Sequence, residues 1–343
     1  MNKFLYGLSI LACCTSCSKK NQQIVNEPKG WDLIETPVDA SLRGLSPLTS
    51  DIAWISGTKG TWLRTLDGGK NWEHGVIDGL SDVDFRSIHG FDAENAIVVS
   101  AGQPAVIYKT SDGGKSWILT YQAGQSAFLN GIAFSDQKTG FVFGDPVDGN
   151  WVILKTLNQG ESWFLIPNLP KVVAGEVGFA AGSSSIVVIG DLLALGSGGR
   201  EANLHISKNG GESWEKFVSP LSQGKDSQGI FAVTGLVTGE LFCVGGDYLE
   251  EGLAQGNVGI FLTSTDEWVT VDKPPAGYRS GVAYFNQEEW LITVGPSGSD
   301  FSNNSGVNWK KFSTEGFHAV KTGSTTGSVW ATGANGKVAK LKF

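Results

Sequence analysis

An eight-residue segment ending in tryptophan recurs along the chain. Its clearest copies are Thr65-Leu66-Asp67-Gly68-Gly69-Lys70-Asn71-Trp72 and Thr110-Ser111-Asp112-Gly113-Gly114-Lys115-Ser116-Trp117. Looser copies run from Thr156 to Trp163, Ser207 to Trp214 and Ser302 to Trp309, with Asn158, Asn209 and Asn304 in place of Asp. A worn copy spans Thr263 to Trp268. The tryptophans fall 41 to 54 residues apart, the scale of one four-stranded propeller blade. Each introduces an outer strand, as in Trp117-Ile118-Leu119-Thr120. A seventh such strand, Trp31-Asp32-Leu33-Ile34, stands at the front with no box before it. The C-terminal end has the complementary gap: strands near His318 to Lys321, Val329 to Thr332 and Lys337 to Phe343, with no outer strand after them. Pairing Trp31 with that last unit closes a ring and removes the open sheet edges. The expected fold is all-β, a seven-bladed β-propeller over residues 31 to 343. Six blades remain the alternative if the worn copy is not a true blade.

Within a box, Asp or Asn accepts hydrogen bonds from backbone amides of the turn and Gly supplies positive φ. Trp then packs between adjacent sheets. Asp67, Trp72, Asp112, Trp117, Asn158, Trp163, Asn209, Trp214, Asn304 and Trp309 are therefore read as structural. The pattern resembles the Asp-box of sialidases, sortilin-type receptors and photosystem assembly factors.

The N-terminus reads as a processing signal. Lys3 precedes a short apolar run, Phe4 to Ala12, and the cysteines Cys13, Cys14 and Cys17 follow. This resembles a bacterial lipoprotein signal over residues 1–16, with Cys17 acylated and residues 17–30 as a polar tether. Cys13 is the alternative site. The expectation is export and lipid anchoring in the bacterial envelope, facing the periplasm from the outer membrane. Cys243, in Leu241-Phe242-Cys243-Val244, is expected in a buried strand without a disulfide. The net charge of −8 and only five arginines argue against a nucleic-acid partner.

Box turns all lie on one face of a propeller, so longer loops on the other face are the place for a ligand. On that face the expected mouth of the central channel has a basic side, Arg43, Arg86, Arg279 and His318 at inner-strand starts. Its acidic side comprises Asp145, Asp191 and Asp247, each following a glycine, with Glu176 near the start of blade four. Tyr248 and Tyr278 stand beside them. The functional reading is a polar pocket in which arginine forks grip carboxylate or carbonyl oxygens. The structural reading is that these residues cap turns and tie neighbouring blades together.

No metal site, cofactor loop or hydrolase elbow is visible, so no metal or cofactor is expected. One enzymatic alternative survives, a sialidase-like glycoside hydrolase using the arginines, a tyrosine (Tyr248 or Tyr278) and the acids Glu176 and Asp145.

A closer resemblance is carried by Leu42-Arg43-Gly44-Leu45 through Trp54-Ile55-Ser56-Gly57, then Trp62-Leu63-Arg64-Thr65, and is strengthened by Asp84-Phe85-Arg86, Asp145-Pro146-Val147-Asp148-Gly149 and Gly245-Gly246-Asp247-Tyr248. They are similar to the photosystem II assembly factor-like (Ycf48/HCF136-like) propellers. That resemblance implies a non-catalytic assembly or binding protein, here a monomer whose partner is an envelope protein or a glycan.

Overall fold

The computed structural model describes residues 27–182, 184–323 and 327–343. Cys13 and Cys17, and with them the signal and most of the tether, lie outside the described residues. Every regular element among those described is a β-strand, and the strands form seven sheets arranged as blades. Blade one shows the plan. Strand Leu42–Pro47 lines the channel, and Ala53–Gly57, Thr61–Thr65 and Glu73–Val76 follow outward in antiparallel register. The two middle strands are buried along their whole length, because both faces pack against neighbouring blades.

Closure occurs as the tryptophan count requires. Strand Gly30–Ile34 pairs antiparallel with Val338–Lys342, with Trp31 opposite Leu341, and completes the blade whose inner strand is Ala319–Thr322. The seventh blade therefore joins both ends of the chain.

The box tryptophans occupy equivalent places. Trp117 packs in the core between blades one and two, Trp163 between two and three, and Trp309 between five and six. Trp31 fills the same place between blades six and seven, against Phe312 and Phe317. The worn copy supplies Trp268 to the core between blades four and five. It is thus a true blade, and the six-bladed alternative falls.

The strands of blade four differ from the expectation by one. Ile186–Ile189, whose density of β-branched residues leads the sequence to place it second in its blade, is the innermost strand, and Leu192–Gly196 is the second. The residues before it, 175–185, are the reason. In place of a longer inner strand, they cross the channel. Glu176–Val177 and Gly198–Gly199 form a small ladder that adds to the inner edge of blade five.

Candidate functional site

Four inner strands carry a β-bulge at the same end. The register slips between Leu42 and Gly44, Asp84 and Ser87, Leu129 and Gly131, and Ile230 and Ala232. A bulge leaves one residue unpaired and re-aims its side chain. The slips release Arg43, the Phe85-Arg86 pair, Asn130 and Phe231 from the ladder at the mouth of the channel. Small residues follow them, because the inner strands nearly touch here. A Cβ on Gly44 would stand 2.0 Å from Ser56 Oγ, and one on Gly131 would stand 2.5 Å from Ser185 Oγ.

The mouth is a cavity of about 530 Å³. It brings together Arg43, Arg86, Asp145, Tyr248, Tyr278 and His318, all named from the sequence. Arg43 donates from Nη1 to the carbonyl of Ala181 at 2.8 Å. Arg86 donates from Nε to Asp84 at 2.6 Å and reaches toward the Ala180 carbonyl at 3.5 Å. Across the cavity Asp145 accepts from Asn130 at 2.7 Å and from the Gly178 amide at 2.8 Å. Burial raises the Asp145 pKa against those two hydrogen bonds. Phe179 stacks on Phe231 at 3.8 Å, and Tyr278 meets Phe231 edge-on at 4.8 Å.

Residues 178–182 are thus a plug. They run across the axis and touch side chains from every quarter of the ring: Asp145 of blade three, Arg43 and Arg86 of blades one and two, and Phe231 of blade five. The sequence reading missed the plug. Its small, apolar composition (Gly178-Phe179-Ala180-Ala181-Gly182) looks like an ordinary strand, and only the closed ring makes it cross the mouth.

His318 accepts or donates one hydrogen bond with Ser41 Oγ at 3.1 Å. Burial, together with Arg43, Arg86 and Lys337, brings its pKa down to about 3, so it stays neutral. The basic side of the mouth is therefore the two arginines alone. Burial and the Arg86 charge also lower the Arg43 pKa. Tyr278 is 5% exposed, and burial raises its phenol pKa.

Four of the expected mouth residues lie elsewhere. Arg279 is fully buried. Its guanidinium pairs with Asp300 through Nε at 2.8 Å and through Nη2, and Nη1 donates to the Tyr278 carbonyl. The residue at the place of Arg43 in blade six is Ser280, one position later, as the glycine after it (Gly281, matching Gly44) signals. Asp191 sits in the turn between Ile189 and Leu192, and its carbonyl accepts from Gly210 of the box. The strand shift in blade four has moved it to the box face.

Glu176 is sealed in the wall, bonded to His205 at 2.6 Å, Asn203 at 3.0 Å, the Val173 amide at 3.0 Å and Ser197. Burial works to raise its pKa, and the His205 bond and charge prevail and lower it. Asp247, 1% exposed, caps its own loop through Leu249 N at 3.0 Å and accepts from Gln228. The loop it caps was expected from its length. That loop leaves Tyr248, Leu249 and Leu253 exposed at the rim, with Glu251 in the cavity lining.

The boxes are structural in geometry. In five of them the Ser or Thr hydroxyl accepts from the second-glycine-position amide at 2.8 to 3.0 Å, and the Asp or Asn Oδ1 accepts from the amide before Trp at 2.9 to 3.1 Å. Cys243 is buried in strand Glu240–Asp247, where burial raises its thiol pKa.

Residues 23–125 match the family model described as photosynthesis system II assembly factor YCF48. A curated relative from Oryza sativa subsp. japonica, the chloroplastic photosystem II stability/assembly factor HCF136, is 29% identical over 141 residues. That match spans 39% of this chain and 32% of the relative's length. Among solved structures, YCF48 bound to D1 peptide superposes with a TM-score of 0.66 at 17% identity, over 93% of this chain and 96% of that one. YCF48 from Cyanidioschyzon merolae gives 0.66 at 19% identity, over 91% and 98%. The Niastella koreensis GH74 enzyme gives 0.63 at 16% identity, over 90% of this chain and 53% of that one.

Proposed function

We propose that this Ycf48-like β-propeller is a non-catalytic binding and assembly protein that holds an extended segment of a partner protein across its mouth. The observation that carries this reading is the Arg43 guanidinium donating to the Ala181 carbonyl, with Arg86 reaching toward that of Ala180. The mouth already reads a main chain, its own. Guanidinium donors, an acceptor at Asp145 for amides, and aromatic side chains on one wall are what a peptide backbone with apolar side chains requires. The exposed rim of Tyr248, Leu249 and Leu253 extends that surface outward. A solved YCF48 carrying a D1 peptide supports a protein partner. We further propose that the chain is exported and tethered to a bacterial envelope membrane through Cys17.

Hydrolase chemistry is not favoured. Glu176, one of the two acids that reading requires, has no exposed side-chain surface and is absent from the lining of the mouth, so it does not reach a sugar ring there.

The test uses a photo-crosslinking residue at Leu249, Arg86→Glu as the loss variant, and envelope preparations of the source cell. Crosslinks to one partner protein, lost in Arg86→Glu with the melting temperature held, support the reading. Crosslinks that survive Arg86→Glu, or turnover of aryl glycosides, overturn it. Palmitate incorporation lost in Cys17→Ser and kept in Cys13→Ser tests the anchor. The reverse pattern moves it to Cys13.

A further inference from the structure

The channel has a second opening, on the box face, behind the plug. It encloses about 360 Å³ and is formed by the far ends of the inner strands. Lys321 lies near the end of strand Ala319–Thr322, half-buried, with its side chain in the channel wall. His89 stands on strand Asp84–Gly90 and stacks on Phe134 at 4.4 Å. Ile132, Val187, Val233 and Val282 supply apolar wall.

The Lys321 ammonium is unusual. Among the described residues no side chain or carbonyl accepts a hydrogen bond from it, and no carboxylate pairs with it. The chain has 34 acidic residues against 26 basic ones, yet among the described residues no Asp or Glu lines this opening. Desolvation brings the Lys321 pKa down to about 8, and no facing carboxylate lifts it. His89 cannot serve as a counter-charge. Burial first, and then the Lys321 charge, hold its pKa near about 3, so it remains neutral. A partly desolvated cation without a partner is costly, and lysine is ordinarily exposed or paired. An anion entering from the box face would relieve that cost.

Lys321 is the one cation among the described residues that line this opening, beside the hydroxyls of Ser184, Thr234 and Thr322 and the aliphatic side chains, and a single cation suits a monoanion. A phosphate dianion is held best by several cationic donors, and Lys321 is the only Lys or Arg among the described residues lining the opening. We infer that the box-face end of the channel binds a small organic carboxylate with a short apolar body. Its carboxylate lies on Lys321, and its body lies against the aliphatic wall and the His89–Phe134 stack. A volume of 360 Å³ is at the lower end of small-ligand pockets. This site is separate from the mouth: the plug stands between them, and no residue lines both cavities.

Calorimetry on the intact chain tests it, with hexanoate, hexylamine and inorganic phosphate as probes. Hexanoate should bind once per chain with saturation, and hexylamine and phosphate should not. Lys321→Met should weaken hexanoate by about tenfold or more and should not lower the melting temperature, since it removes a bare charge. Arg43→Gln with Arg86→Gln should leave hexanoate binding unchanged, so loss of the mouth function and loss of this site are separable. A second readout needs no variant. Reductively methylated Lys321, followed by carbon-13 resonance, should titrate at higher pH when hexanoate is present. Absence of saturation, equal binding by Lys321→Met, dependence on the mouth arginines, or an unmoved Lys321 titration would each overturn the inference.

Discussion

At the scale of single residues, the box acids show how little charge the turn needs. Asp67 and Asp112 have pKa values lowered from 3.8 to about 2. For Asp67 the first cause is the Asn71 amide, and for Asp112 it is the Ser116 hydroxyl. Asn158, Asn209 and Asn304 accept the same backbone amide without a charge. Asp112→Asn should therefore leave the melting temperature at pH 7 nearly unchanged. Asp112→Ala, which removes the acceptor, should lower it by a few degrees. The sign with pH follows from the depressed values. Ionised Asp67 and Asp112 stabilise the fold fully above about pH 4, and that contribution disappears as pH falls toward 2. In the Asp67→Asn, Asp112→Asn double variant, melting scans between pH 4 and 2 should show a smaller decline.

Arg279 is the second residue-scale case. Replacing it by Met leaves the Asp300 charge buried with no counter-ion and only the Ala276 amide to bind it, and should cost about 3–5 kcal/mol in denaturant titration. A ligand-binding arginine at the mouth would instead leave stability near the parent value.

At the scale of elements, the strand Gly30–Ile34 does the work of a clasp. It covers the edge of Val338–Lys342, and Trp31 adds a hydrogen bond from Nε1 to Ser299 Oγ at 3.0 Å across to blade six. Trp31→Ala should cost about 3 kcal/mol, toward the lower bound for large aromatic truncations because the ring is only half-buried. Removing residues up to Glu35 exposes an unpaired edge, and size-exclusion chromatography should show aggregated material. The bulges are the other decisive element. They aim Arg43 and Arg86 at the mouth, and the plug then consumes part of their hydrogen-bonding capacity.

At the scale of the molecule, the two faces are divided. The box-side start of Gly30–Ile34 is held by Lys29 N on the Lys342 carbonyl at 2.8 Å, and Glu27 pairs with Lys310 just past the blade-six box. The segment before residue 30 thus leaves from the box face, opposite the mouth. A membrane tether there would turn the mouth away from the bilayer and the Lys321 opening toward it. On vesicle-bound lipidated protein, Leu249→Cys should react with a bulky maleimide faster than Lys115→Cys on the box face. Equal rates would contradict that orientation.

Seven repeating units, with six as the alternative, and the closing partner of Trp31 were legible in the amino-acid order. A repeat with a fixed period and a missing strand at each end has one economical closure. Six mouth residues were also legible, because loop face follows from strand count. What the chain order could not decide depended on register and path. A one-residue difference sent Arg279 into the wall with Asp300 and left Ser280 at the mouth. One miscounted strand moved Asp191 to the opposite face. Residues 178–182 cross the axis only because the ring around them is closed. The first two outcomes turn on register and strand count within one blade, where a single step reverses which way a side chain points, and the third on contacts between blades far apart in sequence.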